Sequence, residues 1–103
     1  MAQYHIYPNH GAQKAVIPYL VAVQNDHITS RTGTCVMIPL RASVQPFGII
    51  APLVEVPGVG EFVLSVAEIF AIDIARLKRP VGMLGMVDRA KIKPAIDKVI
   101  GEY

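Results

Sequence analysis

Apolar residues along this chain fall in short runs separated by turn formers, a pattern with the period of strands rather than helices until close to the end. Tyr4 to Tyr7 forms a first strand candidate that stops at the turn-forming cluster Pro8-Asn9-His10-Gly11. Val16 to Gln24 is a second, with Val21 and Val23 on one face and Leu20 and Ala22 on the other. The polar stretch Asn25 to Gly33 reads as a loop. Cys35 to Leu40 is a third strand, and Pro39, which has no N–H to give a ladder, predicts a sheet edge or bulge near its end. Leu53 to Val56 and Glu61 to Val66 flank Pro57-Gly58-Val59-Gly60 as a hairpin. Ala71 to Ile74 and Val81 to Leu84 complete the strands.

The tail changes period. Ile92, Ala95 or Ile96, Val99 and Ile100 recur at helical spacing, with Asp88 placed as an N-cap and Gly101 where the helix would stop. A helix capped by Asp88 would hold Pro94 in its interior, where the ring clashes with the carbonyl of Ala90, so a kink or a distorted first turn is expected. Several short strands followed by one helix predict a single domain over residues 1–103: a compact barrel-like sheet with a helix appended.

Composition adds two points. At 52% hydrophobic and 17% charged, the chain carries more apolar side chain than an average domain, which predicts a homo-oligomer that hides part of its surface. No apolar run is long enough for a membrane helix, and the N-terminus lacks the basic-then-apolar layout of a secretory signal, so a cytosolic protein is expected. The net charge of +2 is unevenly spread. From Arg76 onward seven basic residues face three acidic ones, which suits an acidic partner or, more simply, a solvated helix face.

The search for catalytic chemistry returns little. His5, His10 and His27 share no ligand spacing, and Cys35 has no partner for metal or disulfide and sits in an apolar strand as a buried thiol would. Gly58-Val59-Gly60 precedes a strand rather than Gly-Lys-Ser and a helix, so it is a hairpin turn and not a phosphate loop. No Gly-x-Ser-x-Gly occurs, and Glu68 and Asp73 have no evident companion for acid–base work. No metal, cofactor or catalytic residue is assigned.

Two segments nevertheless have a specific look. Tyr19-Leu20-Val21-Ala22-Val23-Gln24-Asn25-Asp26, followed by Val36-Met37-Ile38-Pro39-Leu40, resembles the signature region of the CcdB family of toxins. The likeness extends from the aromatic strand Tyr4-His5-Ile6-Tyr7, through Pro52-Leu53-Val54-Glu55-Val56, to Ala95-Ile96-Asp97 in the tail. It implies a mainly β fold, an SH3-like barrel of the CcdB/MazF type with a C-terminal helix, assembled as a homodimer. By the same resemblance the dimer would bind the GyrA subunit of DNA gyrase, trap gyrase on cleaved DNA and be neutralised by a CcdA-like antitoxin. Such a protein acts by binding and is not an enzyme, and it makes no direct contact with nucleic acid.

The family's gyrase-facing surface maps onto Tyr4, Asn25, Asp97, Ile100, Gly101, Glu102 and Tyr103, where Asn25 and Asp97 replace a serine and an asparagine. The family ends in Trp-Gly-Ile, whereas this chain ends Val99-Ile100-Gly101-Glu102-Tyr103 and contains no tryptophan, leaving Tyr103 as the ring nearest the end. His27 stands where the family has an apolar residue. Two alternatives remain open: a CcdB-fold protein with an altered or lost target that mainly binds antitoxin, and a MazF-like endoribonuclease using Arg31, Arg41 or Arg79 to hold phosphate.

Overall fold

The computed structural model describes residues 2–101. Its framework is a seven-stranded antiparallel sheet made of β1 (His5–Pro8), β2 (Tyr19–Ala22), β3 (Thr34–Arg41), β4 (Leu53–Val56), β5 (Gly60–Leu64), β6 (Phe70–Asp73) and β7 (Gly82–Met83). The order is β4-β5-β3-β2-β1-β7, with β6 attached to β3. Curled into a nearly closed barrel and followed by a C-terminal helix, this is the architecture expected from the sequence.

β3 organises the rest. On one side Ala22↔Met37 and Tyr19↔Leu40 pair it with β2 along its length. On the other side it is shared: Thr34 to Met37 pair with β6, and Leu40 and Arg41 pair with β5. Val36 accepts from the Val23 N–H, so the even-numbered residues of β3 bond towards β2 and the odd-numbered ones towards β6 and β5. The N–H that Pro39 lacks therefore falls in the gap between those two partners, while its carbonyl accepts from Ser65 N at 2.9 Å. Pro39 thus lies inside a long central strand rather than at an edge or bulge, because the ladder is already interrupted there.

The strands carry apolar residues on both faces. One face holds the main core, including Ile6, Val21, Ile38, Leu40, Leu64 and Leu84. The opposite face buries Tyr7, Leu20, Ala22, Cys35 and Met37 beneath the 9–18 segment and Leu77. Val21 and Val23 therefore do lie on one face with Leu20 and Ala22 on the other, and Cys35 is fully buried.

Three expectations need correction. Residues 25–33 are not a loop: α1 (Asp26–Thr32) forms there, capped by the Asn25 side chain, which accepts from His27 N at 2.8 Å, and ended by Gly33 at φ 72°. Only Thr29 of this helix is buried, so it has no apolar stripe by which to be recognised. β2 is also shorter than expected, because the Val16 to Pro18 segment closes a turn in which Ile17 N bonds the Gln13 carbonyl.

The tail is two helices, α2 (Met86–Arg89) and α3 (Ile92–Ile100), separated at Ala90 and Lys91. Asp88 is not an N-cap but part of α2, accepting from Glu55 N and Lys91 Nζ, both at 2.8 Å. The break puts Pro94 in the first turn of α3, where backbone N–H groups have no intrahelical acceptor. The distortion foreseen at the proline is thus a helix break before it. Ile92 and Ala95 enter the main core, with Ile96 and Val99 packed at its margin.

Candidate target-binding surface

Two regions bring chemistry-bearing residues together. The first is the corner where the N-terminus meets α1 and α3. Tyr4 holds a left-handed backbone conformation, φ 71°, maintained by its N–H to the Ala22 carbonyl (2.6 Å) and its own carbonyl accepting from Leu84 N (3.0 Å). The Arg89 guanidinium lies 5.2 Å from the centre of the Tyr4 ring, a cation–π contact, while its Nε donates to the Leu84 carbonyl at 2.8 Å. Next to Tyr4, Gln3 donates through its side chain to the Val23 carbonyl at 3.0 Å and through its backbone to the Asp26 carboxylate. Tyr4 and the Asn25 cap are in this way tied into one corner.

Tyr4, Val23, Ile96 and Val99 all pack against the main core, so α3 borders the same region. Asp97 is on the exposed side of α3, its carbonyl accepting from Gly101 N at 2.8 Å, and Ile100 is 69% exposed at the helix end. Gly101 turns the chain out of the helix. A β-carbon there would run into the Asp97 carbonyl, so the position admits only glycine without a change of path. Glu102 and Tyr103 lie outside the described residues. Gln3 and Arg89 were not singled out from the sequence. Arg89 carried no signal, since its partner is more than eighty positions away.

The second region is a cavity of about 530 Å3 on the opposite face of the strands, between the 8–13 segment and β6. Glu68 stands on its wall. Arg41 grips this carboxylate with two nitrogens, at 2.5 and 2.7 Å, and Ser65 Oγ donates to it at 2.6 Å. The Arg41 and Ser65 hydrogen bonds hold the Glu68 carboxyl down at about 2. A carboxylate held so low is a poor general base at neutral pH, and the arginine that fixes it is already engaged. Among the described residues, neither Arg31 nor Arg79 pairs with an acid or shares this cavity wall. Nor, among the same residues, do three His, Cys, Asp or Glu side chains gather as a metal site, and no helix is long and apolar enough to cross a membrane.

The family profile described as CcdB protein matches residues 3–101. The chain belongs to the CcdB family. Among curated proteins none matches it. Of solved structures, an endoribonuclease from a Mycobacterial species, crystallised with its cognate antitoxin, superposes with a TM-score of 0.81 at 14% identity, covering 100% of this chain and 97% of the other. A MazE–MazF complex from Deinococcus radiodurans does so with a TM-score of 0.74 at 13% identity, again covering 100% and 97%. At such identities these structures establish the fold that this CcdB-family member shares with MazF proteins.

Proposed function

We propose that the protein is the toxin of a toxin–antitoxin pair, acting in the cytoplasm as a homodimer that binds the GyrA subunit of DNA gyrase, traps gyrase on cleaved DNA and is neutralised by a CcdA-like antitoxin. The observation that carries this reading is the CcdB match over residues 3–101, combined with an α3 end that leaves Ile100 uncovered beside the Tyr4 corner. The mechanism is binding. An exposed aliphatic anchor at a helix terminus, flanked by Asp97 and by the Tyr4 and Asn25 corner, offers a compact apolar centre with a polar rim, the arrangement that concentrates affinity in a few residues. Tyr103 supplies the aromatic ring that the family places at its terminal tryptophan.

Calorimetric titration of the full chain against purified GyrA tests this. Saturable binding is expected, weakened roughly tenfold or more by Ile100→Asp, which puts an unpaired charge at the anchor. Binding that Ile100→Asp leaves untouched, or none by a folded parent protein, would overturn the assignment of this surface. Sedimentation of the same sample reports the dimer.

The fold shared with endoribonucleases favours RNA cleavage as the second reading. Against it stands the cavity chemistry, in which Arg41 and Glu68 neutralise one another. Cleavage of single-stranded RNA by the purified protein, abolished by Arg41→Ala, would replace the gyrase reading.

A further inference from the structure

The face of β1, β2, β3 and β6 that points away from α3 is incompletely covered. The cavity of about 530 Å3 reaches Leu20 and Pro39 at its floor and Phe70, Ile72 and Leu77 along one wall. On the far side of Leu77 a shallower hollow of about 330 Å3 lies beside Tyr7, Ile74 and Pro80. Leu77 lines both, so the two are halves of one groove. β6 runs along it as an edge: it pairs only with β3, and Phe70, Ala71 and Asp73 are exposed. Every second backbone amide and carbonyl on that edge remains open to another strand.

The rim is basic. Arg76 borders the larger hollow, and Lys78 and Arg79 border the smaller. All three are exposed and, among the described residues, none of their side chains forms an ion pair or hydrogen bond, whereas Arg41, Arg89 and Lys91 are each engaged. Three uncompensated cations within four residues, next to an open strand edge and two apolar hollows, define a complementary ligand.

We propose that this groove docks an extended acidic peptide, which adds to β6 as a further strand, sets apolar side chains into the hollows on either side of Leu77 and places carboxylates against Arg76, Lys78 and Arg79. A peptide fits better than a nucleic acid. The ionised Glu68 on the groove wall repels a backbone charged at every step, while a peptide can set an apolar or uncharged residue there, and only a peptide uses the edge amides of β6. The groove and the α3 end occupy opposite faces of the same strands, so the proposal stands independently of the gyrase reading.

The test is fluorescence anisotropy with a short labelled peptide of alternating valine and glutamate, against a control in which lysine replaces glutamate. The glutamate peptide binds, the lysine peptide does not, and binding weakens as salt rises. Replacing Arg76, Lys78 and Arg79 together by glutamate weakens it roughly tenfold or more, while Arg31→Glu with Lys93→Glu changes it little. The glutamine triple variant serves if the charge reversal melts early. In amide NMR spectra the residues Phe70 to Asp73 shift on titration, and methylating alternate peptide nitrogens weakens binding. Equal binding of the two peptides, a folded triple variant with parental affinity, or unshifted β6 amides would each overturn the proposal. A single-stranded oligonucleotide that binds more tightly than the peptide and depends on the same three cations would overturn it in favour of a nucleic-acid site.

Discussion

Arg89 links the helical tail to the N-terminal strand through one side chain, with its charge over the Tyr4 ring and its Nε on the Leu84 carbonyl. Arg89→Ala loses both, and a destabilisation on the order of 1–2 kcal/mol is expected in urea unfolding. Arg89→Lys would restore only part of it, because an ammonium cannot lie flat on the ring while bonding the carbonyl. Glu68 sets a different expectation. Its carboxyl is lowered in the folded chain, to about 2 from 4.5, so the stabilisation from the Arg41 pair is present above about 4.5 and is lost as pH falls towards 2. With the two side chains 30% and 39% exposed, solvent screens the pair, and Glu68→Gln should cost no more than about 1 kcal/mol at neutral pH. That difference in unfolding midpoint should vanish in strong acid. At this scale burial could be read from the sequence, as Val21, Leu20 and Cys35 attest, since alternation alone assigns their faces. The partners of Tyr4, Arg41 and Asp88 could not, because each is made by chain segments that only the closed sheet brings together.

Among the elements, the hairpin around Pro57 to Gly60 and the helix ending at Gly101 were both evident, since turn chemistry and apolar period agreed. α1 was not. Its sequence, Asp26-His27-Ile28-Thr29-Ser30-Arg31-Thr32, offers no stripe and weak helix formers, so its caps hold much of its definition. The cue lay in the ends, an Asn before and a Gly after. Asn25→Ala should accordingly cost about 1 kcal/mol and speed hydrogen exchange in residues 26–32 well beyond the change elsewhere. Exchange that rises uniformly would mean that the cap does not carry the helix. Pro94 illustrates the opposite case: the sequence signalled trouble correctly, but the chain resolves it by ending one helix and beginning another, which no local rule selects.

For the molecule as a whole, strands buried on both faces account for part of the apolar excess without any second copy of the chain. The remainder is visible in Phe47, Met86, Val87 and Ile100, each more than two-thirds exposed. CcdB membership and barrel topology were legible because the signature segments Tyr19 to Asp26 and Val36 to Leu40 are the paired centre of the sheet, β2 and β3, where packing leaves little choice of residue. The α3 end is constrained by a partner instead, so a shared fold leaves its residues free to vary.

β3 belongs to two ladders on one side, and the proline between them interrupts any continuous hydrogen-bonded path from β6 to the β4–β5 hairpin. The barrel is therefore mechanically jointed at Pro39: one flank can open while the other stays shut. Native-state hydrogen exchange should find β2 and the even-numbered amides of β3 protected to the global unfolding limit, with β6 exchanging through a separate, lower-energy opening that leaves β4 and β5 protected. A strand that detaches alone is also one that can be offered, edge first, to an incoming chain.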